Sequence, residues 1–190
     1  MKTAVVILNW NTKGFLEKFL PPLLGSIAHC DGAEVIVADN ASTDGSLELM
    51  KEKFPEVKTI AFDRNYGFTG GYNKAFKHME AKYFVLINSD IEVTAGWLEP
   101  LVEWMDTHPD CGACAPKLHS WQERDKFEYA GAAGGYIDRF GYPLCRGRVM
   151  SRLDSDRGQY DSPKDVFWAT GACLMVRSKV YKELEGLDER

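Results

Sequence analysis

The chain has 190 residues, 45% of them hydrophobic, and 23 lysines and arginines against 28 aspartates and glutamates, for a formal net charge of −5. That is enough chain for one sizeable core, and the composition excludes a disordered tail, a collagen-like chain and a small disulfide scaffold. The acidic balance argues against a nucleic-acid partner, which draws on a basic excess.

Strands and helices alternate through the first 118 residues. Ala4-Val5-Val6-Ile7-Leu8 is a continuous apolar run, the mark of a parallel strand covered on both faces. Apolar residues at 15, 16, 19, 20, 23, 24 and 27 then follow a helical period. Pro21-Pro22 interrupts that helix and predicts a kink or restart. A second strand is expected over 34–38 and a helix over 46–54, entered through the capping run Ser42-Thr43-Asp44-Gly45. A strand over 57–62, a helix over 69–80 and a strand over 83–87 come next. Trp97, Leu98, Leu101, Val102 and Met105 mark another helix, and 112–118 reads as a strand. This alternation predicts an α/β domain with a mostly parallel sheet.

The second half changes character. Residues 119–164 are rich in Gly, Arg, Asp and aromatics and read as loops and short antiparallel strands. Arg146, Arg148, Arg152 and Arg157 form a local basic run there, read as a solvated loop. Val166 to Val176 reads as a strand and 178–184 as a short helix. The five cysteines are odd in number and scattered, which suits reduced thiols and a cytoplasmic protein. Cys111-Gly112-Ala113-Cys114 lacks a second ligand pair and reads as small residues on a buried strand. No apolar stretch is long enough for an integral membrane segment.

Four polar clusters follow four of the strands. They are Asn9-Trp10-Asn11, Asp39-Asn40-Ala41-Ser42-Thr43-Asp44, Asp63-Arg64-Asn65-Tyr66-Gly67 and Asn88-Ser89-Asp90. Each one alone is ordinary turn chemistry. A parallel sheet gathers all four at the carboxyl ends of its strands, where such sheets bind ligands. A ring to stack a base, a carboxylate or amide for its edge and a metal-binding carboxylate for a diphosphate together suit a nucleotide. Gly67-Phe68-Thr69-Gly70-Gly71 opens a helix but is not the dinucleotide G-x-G-x-x-G, and no Walker sequence is present.

With these segments in order, the chain resembles the family 2 glycosyltransferases, in particular their rhamnosyltransferase-like branch. The matching segments are residues 5–11, 37–46, 65–73, 86–93, 170–177 and 186–189. The resemblance implies an inverting transferase with the GT-A fold: a mostly parallel central sheet flanked by helices in an α/β/α sandwich. It implies a nucleotide-sugar-binding half over 1–118 and the start of an acceptor-side half over 119–190, in one continuous domain. Asn9, Trp10, Asn11, Asp39, Arg64, Asn65, Asn88 and Ser89 then border the nucleotide, and Thr170 and Gly171 the acceptor. Asn88-Ser89-Asp90 matches the family's Asp-x-Asp, so Asp90 would bind Mg²⁺ or Mn²⁺ against the diphosphate of a UDP-, dTDP- or GDP-type sugar. Asn in the first position is common in this branch, and Glu92 is a second candidate ligand.

The acceptor is expected to be a glycan or lipid-linked hydroxyl, met by a cytoplasmic protein that can sit at the inner membrane face. The family's general base lies in a Glu-Asp pair several residues past the segment matched by Gly186-Leu187-Asp188-Glu189. It is expected beyond Arg190, so the 190 residues read as a truncated catalytic domain with weak or no turnover. The alternative is a non-catalytic nucleotide-sugar-binding module of the same shape. A nucleotidyltransferase fits less well, because its Gly-rich loop with Arg and Lys has no counterpart in Asn9-Trp10-Asn11.

Overall fold

A computed structural model describes residues 1–129 and 131–189. The expected end of the acceptor side at Arg190 lies outside the described residues. The first part alternates as β1 (Thr3–Asn9), α1 (Lys13–Ile27), β2 (Ala33–Asp39), α2 (Ser46–Lys53), β3 (Lys58–Ala61), α3 (Gly67–Phe76), β4 (Tyr83–Ile87), α4 (Leu98–Thr107) and β5 (Ala113–Cys114). A long excursion follows with two small hairpins. They are β6 (Gly135–Ile137) with β7 (Pro143–Cys145), and β8 (Arg148–Val149) with β9 (Arg152–Leu153). The chain returns as β10 (Cys173–Arg177) and α5 (Ser178–Glu183).

The main sheet has the order β3-β2-β1-β4-β10-β5. β1 lies between β2 and β4, parallel to both, and β3 extends the parallel set beyond β2. β10 runs antiparallel between β4 and β5. Alternate side chains of a strand point to opposite faces, and here both faces are dry. Val5, Ile7, Val35, Val37, Val85 and Met175 pack with α1, α2 and α4. Ala4, Val6, Ile36, Ala38, Phe84 and Leu86 pack with α3 and α5. The result is the expected helix–sheet–helix sandwich. Phe76 stacks on Phe84 with ring centroids 4.2 Å apart, and Tyr181 meets both edge-on.

Three elements differ from the sequence expectation. Helix α1 runs unbroken through Pro21 and Pro22. Each proline removes an N–H that would bond the carbonyl four residues earlier, at Glu17 or Lys18. All four residues lie on the exposed face, so water can take those carbonyls. The expected strand over 112–118 pairs only at Ala113–Cys114. Burial pushes the Cys114 thiol up to about 12, so it stays protonated. The expected strand over 166–176 is ordered as a strand only from Cys173. Before it, Trp168 bridges to Gly135, and the Thr170 hydroxyl accepts from the Ala172 N–H at 3.2 Å.

Polar clamps tie the far part of the excursion to its start. Asp156 accepts from Lys117 Nζ at 2.5 Å and lies 2.8 Å from His119 Nε2, which ties residues 154–161 to the segment leaving β5. Lys117 also pairs with Asp161. The backbone of Gly135 lies so close to Trp168 and to the Leu144 carbonyl that a Cβ there would sit 2.2–2.4 Å from them.

Gly135→Ala must therefore push backbone apart. Thermal denaturation is expected to show a loss of about 1–3 kcal/mol, the usual cost of overpacking. The Lys117 ammonium holds the Asp156 carboxyl down at about 2, below the ordinary value of about 3.9. Its stabilisation is fully present above about pH 4 and is lost as pH falls through about 2. The Tm gap between the parent chain and Asp156→Asn is expected to be constant from neutral pH to about 5 and to close towards pH 2. A gap independent of pH would contradict this assignment.

Candidate functional site

The parallel strands end together, and the polar clusters do gather along that edge. Asn9 is fully buried at the end of β1, and Asp39 is 1% exposed at the end of β2. Asn9 Nδ2 donates to Asp39 Oδ2 at 2.7 Å and to Ser42 Oγ at 2.9 Å. The Ser42 N–H donates to the other Asp39 oxygen at 2.8 Å. Asn11 holds a left-handed backbone, φ 55°. Its N–H reaches Ser42 Oγ at 2.9 Å, and its side-chain carbonyl accepts from the Thr43 N–H at 2.7 Å. The loops after β1 and β2 thus form one bonded unit. Trp10 stands out from it, 53% exposed.

The loop after β3 is fixed by Asn40. This side chain is 2% exposed. Its Nδ2 donates to Asn65 Oδ1 at 2.8 Å and to the Gly67 carbonyl at 3.0 Å. Its oxygen accepts from the Tyr66 N–H at 2.8 Å. Sequence reasoning placed Asn40 in a cluster but missed it as the connector, because asparagine in a loop reads first as turn chemistry. Arg64 lies exposed over the Tyr66 ring, 4.8 Å from its centroid. The Tyr66 hydroxyl donates to Asp63 at 2.7 Å and holds that carboxyl below its usual range. α3 begins at Gly67 and comes close to β1 because Gly71 faces Leu8 and Asn40, where a Cβ would lie 2.7 Å from the leucine methyl.

At the end of β4, Asn88 and Ser89 turn the chain and Asp90 is exposed. The Asn88 N–H donates to the Ala172 carbonyl at 2.9 Å. Thr170 and Gly171 are therefore brought beside Asn88, with Gly171 against Phe68 of α3 and Thr170 against Gly131. Glu92 does not join Asp90 as a free ligand, because its carboxylate is paired with Arg124 at 2.6 Å. Among the described residues no group of three or more His, Cys, Asp or Glu is arranged to hold a metal. One exposed carboxylate still fits a divalent cation held mainly by substrate phosphates and water, the usual mode for Mg²⁺. It does not fit a cation held by protein alone.

The segment after α5 docks on α3. Asn73 Nδ2 donates to the Leu187 carbonyl at 2.9 Å and to Glu189 at 2.7 Å, and Asn73 Oδ1 accepts from the Leu187 N–H at 2.8 Å. Asn73 was not singled out from sequence, since helical spacing marks it only as one more inward position.

Asn40→Ala leaves the Tyr66 N–H and the Gly67 carbonyl without their buried partner. The expected cost is about 1–3 kcal/mol in chemical denaturation, with faster hydrogen exchange confined to residues 63–68. Uniform exchange across the sheet would remove Asn40 from this role.

The family model described as "Glycosyl transferase family 2" matches residues 4–185. The N-acetylglucosaminyl-diphospho-decaprenol L-rhamnosyltransferase of Mycobacterium tuberculosis is 24% identical over 98% of this chain and 64% of its own length. The O-antigen biosynthesis protein RfbC of Myxococcus xanthus is 22% identical over all of this chain and 15% of its own. The chain thus spans less than two thirds of these curated relatives. Among solved structures, a mannosyltransferase from Pyrobaculum calidifontis, in complex with GDP-Man and Mn²⁺, superposes with a TM-score of 0.66 at 16% identity, over 99% of this chain and 48% of that one. S. aureus TarS 1–349, in complex with UDP, gives 0.67 at 16% identity, over 100% and 51%. The GT-A-like fold is thus shared, and with the family model covering most of its length the chain belongs to glycosyl transferase family 2.

Proposed function

We propose that this chain carries the nucleotide-sugar site of an inverting glycosyltransferase. The donor is a nucleoside diphosphate sugar of the UDP, dTDP or GDP type, and the acceptor is a hydroxyl of a glycan or lipid-linked sugar. The observation that carries this reading is the convergence of four polar clusters on one sheet edge, with Trp10 and Asp90 left exposed within it. The bound nucleotides named for the related structures, and the lipid-linked substrate in the mycobacterial relative's name, support the same reading.

In this proposal residues 1–118 form the donor side and 119–190 begin the acceptor side. Trp10 offers its ring face to the base. Asp39, Asn9 and Asn11 border the base edge, and their mutual hydrogen bonds fix that wall before a ligand arrives, which lowers the ordering cost of binding. Arg64 and Asn65 close the nucleotide's flank, and Asn88 and Ser89 lie under its diphosphate. Asp90 would hold Mg²⁺ or Mn²⁺, and such an ion neutralises the charge that grows on a leaving diphosphate. Thr170 and Gly171, tied to Asn88 through Ala172, set the acceptor beside the donor. The general base for the acceptor hydroxyl is not assigned to any residue up to Glu189. A location at the cytoplasmic membrane face, where a lipid-linked acceptor is met, belongs to the same reading. Among the described residues no helix is long and apolar enough to cross a membrane.

Calorimetric titration of the chain with UDP, dTDP and GDP, each with and without Mn²⁺, tests this. One nucleotide is expected to bind, and to bind more tightly with the metal. Asp90→Ala is expected to weaken binding in Mn²⁺ by about tenfold or more, the equivalent of about 1.4 kcal/mol, while leaving metal-free binding unchanged. If no nucleotide binds, or if the variant retains the full metal effect, the donor-site reading fails.

A further inference from the structure

We propose that the β6–β7 hairpin and the adjacent β8–β9 turn dock on an anionic lipid bilayer. This rests on the membrane-face reading above and assigns it a surface. Residues 139–152 carry four arginines and no carboxylate, within a chain of net charge −5. The same fourteen residues hold five exposed large apolar side chains. Met150 is 89% exposed, Phe140 70%, Val149 69%, Tyr142 68% and Leu144 55%. Single exposed apolar residues are ordinary, but five within fourteen residues of two adjoining hairpins are a candidate interaction surface. Arginine beside Phe, Tyr and Met is the composition that partitions into the headgroup layer of an anionic membrane.

Arg139 and Arg152 are exposed with the apolar side chains, whereas Arg146 and Arg148 are half-buried, the first donating to the Ala133 carbonyl and the second lying over the Tyr129 ring. Tyr142, just before β7, and Leu144 within it are two residues apart, and both are exposed. Arg139 lies over the Phe140 ring, 4.5 Å from its centroid, so cation and apolar ring stand together at the hairpin tip. The carboxylate of the hairpin, Asp138, is half-buried and engaged with the tip's own backbone. It accepts from the backbone N–H groups of Phe140 and Tyr142 at 2.8 and 2.9 Å, and this also stiffens the tip. Met150 sits at the turn between β8 and β9 with φ 53°, a conformation better suited to glycine or asparagine. Neither the backbone nor water favours methionine there, whereas an acyl boundary does.

The position matches the proposed chemistry. The excursion leaves the sheet after β5 and rejoins it through Thr170 and Gly171, beside Asn88. The hairpins thus belong to the part of the chain that the proposed function gives to the acceptor side. A second copy of this chain is a poorer occupant, because a twofold contact over this surface would bring the exposed Arg139 and Arg152 against the same charges of the other copy.

The test is co-sedimentation of the 190-residue chain with vesicles of phosphatidylcholine containing about one quarter phosphatidylglycerol, against pure phosphatidylcholine. Binding is expected to the anionic vesicles and to fall with added salt. Arg139→Ala and Arg152→Ala are each expected to lower partitioning by about fivefold, and the double change Phe140→Ser with Met150→Ser by about tenfold or more. All these side chains are exposed, so the circular dichroism spectrum and nucleotide titration should match the parent and exclude misfolding. Binding to anionic vesicles that all variants retain would overturn the surface assignment and leave the membrane-face reading standing. No binding to either vesicle would overturn both. A dimer seen by light scattering that the serine variant dissociates would give the surface to a second copy and overturn the proposal.

Discussion

The carboxylate of Asp39 is nearly sealed from water, and a buried charge is tolerated only when it is paired or fully hydrogen-bonded. Its partners come from the neighbouring strand end, Asn9, and from its own loop, the Ser42 N–H. Satisfying that charge is what joins the first two loops of the polar edge. From there the chain of dependence runs through Asn40 to Asn65, Tyr66 and Gly67, and so to the start of α3. The wall of the proposed donor site is thus held by amide and carboxylate side chains, each carrying two or more hydrogen bonds.

The apolar sandwich beneath makes that arrangement possible. Both faces of the sheet are covered, so only strand ends can carry exposed chemistry. The parallel strands β1, β2, β3 and β4 deliver their loops to the same edge, and the antiparallel β10 begins at that edge because its Cys173 pairs with Ile87 at the end of β4. The acceptor-side residues arrive next to the donor-side ones by register, without a separate packing device.

The buried strands were readable because continuous apolar runs such as Ala4 to Leu8 have few other solutions, and the gathering of the polar clusters followed from parallel order. Less visible was anything set by contacts distant in sequence. The prolines of α1 predicted a kink or restart that their exposure makes unnecessary. The apolar residues from Val166 onward suggested one long strand, but the bridge from Trp168 to Gly135 and the Thr170 turn take the first part away. Glu92 looked available until Arg124, thirty-two residues on, was found paired with it. Asn40 and Asn73 were hidden for a different reason: an amide declares its partners only in three dimensions. The individual contacts that the proposal gives to Trp10, Arg64 and Asp90 are of the same kind, since composition names the groups and not their ligands.

The placement of β10 has a consequence for synthesis. The ribosome releases the chain from its N-terminus, and domains fold as their residues emerge. β1 to β4 can associate early, but the strand that covers the free edge of β4, and that among the described residues joins β5 to the sheet, is made well after them. Until residues 173–177 appear, the nascent protein exposes the backbone of Tyr83–Ile87, five residues whose side chains are buried in the finished fold. Such an edge invites pairing with other chains. The free edge of β4 is covered only after the whole excursion between β5 and β10 has been made, so it stays open to other chains through that stretch of synthesis.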